Sequence, residues 1–224
     1  MGDIAELPGA SYYSNWITME EQDQILGQIQ DMKFSTSLLG ITGRDGPELF
    51  AHLARSKRPA PLFIKNLIEK LSQQQKLVGN IFQVTVNNYT DLSKYIVPHK
   101  DGNGKQAAII SVGPSHTVLN FYDHPQDQEL IKGTKIYDYN EYFSQTSVWM
   151  EPLSCLILTE DSYMRYAHGI TPHLRDQVVT AADSSVVSSK ETGAERICNG
   201  KYLSLAEGTV VERGPRISIV IWSK

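Results

Sequence analysis

In the stretch Tyr95-Ile-Val-Pro-His-Lys-Asp-Gly-Asn-Gly104, His99 and Asp101 stand two apart, at the exit of an apolar segment and just before a glycine turn. At a strand end, the two-residue period points both side chains the same way. An imidazole and a carboxylate on one face are two-thirds of a facial triad. Two histidines and one carboxylate in that arrangement hold Fe(II) and leave positions open for oxygen and a cosubstrate. The third ligand must then be another histidine.

Six histidines are available, His99 included. His52, in Leu-Phe-Ala-His-Leu-Ala, fits a short helix or solvent. His116 begins a strand and suits a hydrogen bond to a turn. His124 is a turn residue in Asp-His-Pro, and His173 follows a proline in a loop. His168 lies late in a strand, in Tyr-Met-Arg-Tyr-Ala-His-Gly. Its small neighbours Ala167 and Gly169 would let a metal and a substrate approach closely. His168 is preferred, although spacing alone does not decide the matter.

The last strand offers a separate signal. Ile217, Ile219 and Ile221 share one face, and Arg216, Ser218, Val220 and Trp222 share the other. An arginine on an otherwise apolar strand is costly to bury unless it meets an anion. Arg216 is therefore either an edge residue in solvent or a bidentate clamp for a carboxylate.

The elements that must position these residues change character along the chain. Thr18-Met-Glu-Glu21 has the form of a capping box and predicts a helix running to about Met32. Phe63, Ile64, Leu67, Ile68 and Leu71 recur at helical spacing and predict a second helix from Ala60 to about Gln74. The Ser/Thr/Gly-rich stretch 35–47 reads as a loop. From residue 80 the period becomes that of strands: Asn80–Thr90, Ala107–Gly113, His116–His124, Thr146–Pro152, Ser154–Glu160, Tyr163–Ile170 and Arg216–Trp222. Two helices followed by at least seven short strands imply a mainly β, α+β fold, an antiparallel sandwich or barrel with helices packed on one face.

Composition narrows the function classes. A net charge of −4 over 224 residues gives no global attraction to nucleic acid or to an anionic membrane, so any basic surface must be local. Arg55, Lys57 and Arg58, with Lys65 and Lys70 following on a helix, are such a patch, or else a solvated helix face. Cys155 and Cys198 make neither a disulfide framework nor a zinc pattern. No apolar run reaches the roughly 20 residues of a membrane span. No signal peptide is visible at the N-terminus. The expectation is a soluble protein of the cytoplasm and nucleus with no membrane partner.

The motifs together resemble those of the AlkB-type Fe(II)/2-oxoglutarate dioxygenases, and within them the branch of the sixth AlkB homologue. The resemblance rests on Val86-Asn-Asn-Tyr89, Val97-Pro-His-Lys-Asp-Gly102, Ile110-Ser-Val-Gly113 and Ser115-His-Thr-Val-Leu-Asn-Phe-Tyr122. Met150-Glu-Pro152, Tyr163-Met-Arg-Tyr-Ala-His-Gly-Ile170 and Arg213-Gly-Pro-Arg-Ile-Ser218 follow in family order. It covers most of the chain from Tyr12 onward and is strongest between 80 and 170.

The resemblance implies a double-stranded β-helix (jelly-roll) core in one domain. Residues 1–79 would form a helical N-terminal extension and substrate lid, and 80–224 the core, with a flexible insertion at about 171–206. It also implies Fe(II), 2-oxoglutarate and O2 as cofactors. His99, Asp101 and His168 would bind the metal as the catalytic set. Asn87 and Tyr89 would hydrogen-bond 2-oxoglutarate, and Arg216 would pair with its distal carboxylate beside Ser218.

The chain departs from the family pattern in two places. Asn-x-Tyr is followed by Thr90-Asp91-Leu92 rather than a Pro-Gly turn, and the family's second arginine, six residues after the first, is Trp222 here. Trp222 would narrow the pocket or offer a stacking face, its N–H seeking one acceptor, or else be a plain hydrophobic plug at the end of the last strand. Three functions follow: oxidative demethylation of alkylated bases in single- or double-stranded nucleic acid, for repair or modification, by a monomer; hydroxylation or demethylation of protein side chains; or a nucleic-acid or protein binder with weakened catalysis.

Overall fold

The structure, a computed structural model, describes residues 2–30, 60–89, 95–102, 104–123, 146–171, 173–178 and 197–224, together with the backbone of 34–36 and 45–47. The elements of the first half are β1 (Gly2–Asp3), β2 (Ala10–Tyr13), α1 (Met19–Ile29), β3 (Phe34–Thr36), β4 (Asp45–Pro47), α2 (Leu62–Gln73) and β5 (Ile81–Tyr89). There follow β6 (Ile96–His99), β7 (Gln106–Val112), β8 (Thr117–Asp123), β9 (Thr146–Met150) and β10 (Cys155–Leu158). The last are α3 (Glu160–Met164), β11 (Tyr166–Ile170), β12 (Arg175–Gln177), β13 (Val210–Glu212) and β14 (Arg216–Ser223).

The strands form a major sheet in the order β1-β2-β10-β7-β14-β5-β4-β3 and a minor sheet in the order β6-β11-β8-β9. Their inner faces meet in one cluster that includes Tyr89, Ile109 and Val220 from the major sheet and Leu119, Phe121, Val148 and Ile170 from the minor. All strand pairings between the named strands are antiparallel, and the result is a jelly-roll core.

Both predicted helices cover the outer face of the major sheet. Ile25 and Ile29 of α1 and Phe63, Ile64, Leu67 and Leu71 of α2 pack on Val84, Val86, Ile110, Ile217, Ile219 and Ile221. The capping box at Thr18 is present, with Glu21 N donating to Thr18 Oγ1 at 3.2 Å and Thr18 N donating to Glu21 Oε2 at 2.8 Å. Pro61 brings α2 no side-chain cap of its own, and Phe63 N instead donates to Gln28 Oε1 of α1 at 3.3 Å. Neither helix lies between the sheets. Most of the stretch 31–59, within the extension and lid expected of residues 1–79, lies outside the described residues.

Three expectations change. Stretch 35–47 is not wholly a loop, because β3 and β4 pair with each other and Asp45 pairs with Asn88 at the edge of the major sheet. The strand expected over Tyr163–Ile170 begins only at Tyr166, since 160–164 is a helical turn started by Thr159 and Ser162. Around the expected insertion, β12 pairs with β13, and Ile197, Cys198 and Asn199 are buried beside Ser147 and Trp149; 179–196 lies outside the described residues.

The β12–β13 pair is tied down by a buried charged group. Asp176 is 0% exposed and accepts from Arg213 Nε and Nη2, both at 2.6 Å. Arg213 Nη1 donates to Thr171 O, and His116 Nε2 stands 3.1 Å from Asp176 Oδ2. The His116 ring stacks on Trp149 at 4.2 Å between centroids. His116 thus faces a carboxylate rather than the turn expected for it. Arg213 lies three residues before Arg216, so this group anchors the chain as it enters β14.

Burial opposes charge on Asp176, but the hydrogen bonds from His116 and Arg213 hold its carboxyl below the ordinary value. A carboxyl held low stabilises the fold above the unfolded-state value of about 4, and that stabilisation is lost as the pH falls through the folded value. Asp176→Asn should lower stability at pH 7 by about 3–5 kcal/mol, because Arg213 is left buried without its counter-charge. It should also flatten the acid side of the stability profile. Urea midpoints measured from pH 3 to 7 test this, and equal midpoints at pH 7 would contradict it.

Candidate active site

The inner face of the major sheet carries a polar row amid apolar neighbours. Across β5, β14 and β7, Asn87 pairs with Ser218 and Ser218 with Ser111, and one step along Tyr89 pairs with Arg216. Arg216 is 7% exposed, so the clamp reading of this residue is possible and the solvent-edge reading is not. Its guanidinium carbon lies 3.8 Å from the centroid of the Tyr89 ring.

Among the described residues, Arg216 Nη2, Asn87 Oδ1 and Ser111 Oγ have no hydrogen-bond partner, although all are buried. Burial pushes the Arg216 guanidinium below its ordinary value, and the Tyr89 side chain works against that shift. A buried donor left unpaired beside unpaired acceptors and hydroxyls costs free energy, which a small carboxylate-bearing molecule seated there would recover. Ser111 was not anticipated. Its signal in the sequence is parity: it is the polar position of an apolar strand, alternating with Ile110 and Val112.

Opposite this row, the minor sheet brings two histidines together. His168 of β11 is the direct cross-strand partner of His99 of β6, with ring centroids 4.6 Å apart. Asp101, two residues past β6, places Oδ1 3.6 Å from His99 Nε2 and Oδ2 3.8 Å from His168 Nε2. Potential ligand atoms of the three residues all lie within 4.8 Å of one another. Burial disfavours the charged carboxylate, yet His168, His99 and the Trp222 N–H hold Asp101 well below the usual carboxylate range. Two buried imidazoles and a half-buried, ionised carboxylate that converge are a donor set that fits Fe(II).

His173 is half-buried, and burial and Arg213 push its imidazole below its ordinary value. It is not part of the cluster. His52 and His124 lie outside the described residues.

The reason proposed from sequence for the small neighbours of His168 needs correction. His168 points inward, so Ala167 and Gly169 alternate to the outer face, away from the cluster. Gly169 instead lets β6 come close: a Cβ there would stand 2.7 Å from Ile96 O and 3.0 Å from Pro98 N. The register between β11 and β6 shifts at this point, between His168 and Ile170.

Trp222 closes one end of the site. Its indole Nε1 donates to Asp101 Oδ2 at 2.9 Å, so the one acceptor it was expected to seek is the candidate metal ligand itself. Of the basic patch, Arg55, Lys57 and Arg58 lie outside the described residues. Lys65 is exposed, whereas Lys70 is engaged, donating to both oxygens of Glu21 and lying over Trp16.

Relatives bear on this geometry. A Danio rerio protein described as "Probable RNA/DNA demethylase ALKBH6" is 27% identical over 232 residues, covering 97% of this chain and 87% of its own. The solved structure of OsALKBH1 superposes with a TM-score of 0.58 at 13% identity, covering 96% of this chain and 98% of its own. The chain is similar to the AlkB-type dioxygenases in both sequence and fold. HygX from Streptomyces hygroscopicus, solved with nickel and 2-oxoglutarate bound, shares the fold with a TM-score of 0.52 at 8% identity, covering 98% of this chain and 84% of its own. No family model matches the chain.

If the polar row seats 2-oxoglutarate, Arg216→Ala should weaken its binding by about 1.5–3 kcal/mol, the worth of a charge-assisted hydrogen bond. Calorimetric titration of 2-oxoglutarate into wild type and variant measures this directly. An unchanged affinity would place the carboxylate clamp elsewhere.

Proposed function

We propose that the protein is an AlkB-like Fe(II)- and 2-oxoglutarate-dependent dioxygenase that oxidatively demethylates alkylated nucleic acid bases. The observation that carries the oxidative chemistry is the convergence of His99, Asp101 and His168 on one sheet and, on the facing sheet, the buried Arg216 guanidinium, whose Nη2 has no hydrogen-bond partner. Nucleic acid as the substrate class is supported by the sequence similarity to a protein described as an RNA/DNA demethylase.

In this reading His99, Asp101 and His168 hold the metal. Arg216 takes the distal carboxylate of 2-oxoglutarate, with Tyr89 fixing the guanidinium and Asn87, Ser111 and Ser218 available to its other oxygens. Bound there, iron, 2-oxoglutarate and O2 would supply an oxidant for an N-methyl group: 2-oxoglutarate would be oxidatively decarboxylated to succinate and CO2, one oxygen atom of O2 entering succinate and the other the methyl group, and the hydroxymethyl product would release formaldehyde. The chain's own contribution is to orient and desolvate. Arg216 and the polar row fix the cosubstrate from one sheet while the ligands are fixed from the other, and the apolar residues around them exclude water that would screen both. The Tyr163 hydroxyl, buried and raised above its ordinary value by burial and then by the nearby Asp101 charge, stays protonated beside the site. It is a neutral neighbour for the carboxylate.

Incubation with Fe(II), 2-oxoglutarate and O2 tests the proposal, with methylated single- and double-stranded DNA, methylated RNA and methylated peptides offered separately. Succinate above the substrate-free rate, with matching formaldehyde, is expected from at least one nucleic acid. Turnover with peptides alone would overturn the substrate class and leave the dioxygenase standing. Absence of succinate with every substrate and without substrate would overturn both.

A further inference from the structure

Trp222 is the residue at which this chain leaves the pattern it resembles, and its surroundings give it a task. It lies between Gln83 of β5 and Ala107 of β7, on the same face of β14 as Arg216 and Ser218. Its side chain packs, partly buried, against the apolar interior between the sheets. An indole has a single donor and no acceptor. That donor is committed to Asp101 Oδ2 at 2.9 Å.

A carboxylate that binds a metal through one oxygen is free to rotate unless the other oxygen is held, and hydrogen bonds from neighbouring residues commonly do this. Here Oδ2 is held, which leaves Oδ1, on the His99 side at 3.6 Å from Nε2, for an ion. Asp101 sits past the end of β6, so its own strand does not fix it, whereas β14 is paired on both sides along most of its length. A guanidinium at this place would form an ion pair with Asp101 and compete with a cation for its charge. The indole holds the oxygen and brings no charge.

Resting on the metal reading of the triad, we infer that Trp222 is a positioning residue that orients Asp101 from the opposite sheet as a one-oxygen ligand. One strand thereby carries both the cosubstrate clamp, Arg216, and the support of a metal ligand.

The variant Trp222→Phe keeps an aromatic ring in the core and removes the donor together with part of the ring. Titrated with Mn(II) alone by calorimetry, it should bind about 10- to 100-fold more weakly than wild type, while its melting temperature without metal stays close to wild type. A second measurement leaves the side chain intact. In a spectrum of the 15N-labelled indoles, the resonance that disappears in Trp222→Phe should shift when wild type takes up Zn(II), because the oxygen it bonds belongs to a ligand. Equal Mn(II) affinity in the two proteins, or an indole resonance that ignores Zn(II), overturns the inference and leaves the triad intact. No Mn(II) uptake by wild type overturns the triad reading and this inference with it.

Discussion

The site depends on one cross-strand register, His168 opposite His99 in the pairing of β11 with β6. Strand residues alternate between faces, so a slip of one position would turn His168 to the outer face and bring Ala167 or Gly169 inward. The register is held by features with no chemistry of their own. Gly169 lets β6 approach where a Cβ would collide with Ile96 O. On the other side, β8 pairs with β11 so that Phe121 stands opposite His168 and its ring packs 6.1 Å from the imidazole. The convergence of the candidate metal ligands is a by-product of correct strand pairing, and only Asp101, beyond the end of β6, needs separate restraint.

A second constraint is the charge balance of the interior. Arg216 and Asp101 are both largely withdrawn from water, one on each side of the space between the sheets, and they do not pair with each other. Arg216 lies against the Tyr89 ring, and Asp101 is held by His168, His99 and the Trp222 N–H. By contrast, Arg213 and Asp176 neutralise each other directly, and that pair serves the fold.

Much of this was legible in the sequence, for a physical reason. The inner and outer faces of β14 follow from a two-residue period over seven residues, and Arg216, Ser218 and Trp222 fall on the face expected for them. The capping box at Thr18 and the apolar stripe of α2 are local patterns and needed no tertiary information. The rest was set by partners distant in sequence. Trp222 meets Asp101 across 121 positions and His116 meets Asp176 across 60, distances over which a single sequence holds no signal. Strand β6 is only four residues long and contains Pro98, so periodicity had little to act on. The small residues around His168 were assigned to the metal because their types fit that role, but their parity places them on the other side of the sheet.

The central claim is that one interior holds a metal on His99, Asp101 and His168 and, beside it, 2-oxoglutarate on Arg216. Its most direct test is the visible metal-to-ligand charge-transfer absorption that appears when 2-oxoglutarate chelates Fe(II), recorded without oxygen. Wild type should develop the band only when Fe(II) and 2-oxoglutarate are both present, His173→Ala should develop it equally, and His168→Ala should not. A wild-type protein without the band, or a His168→Ala variant that retains it, would contradict the account.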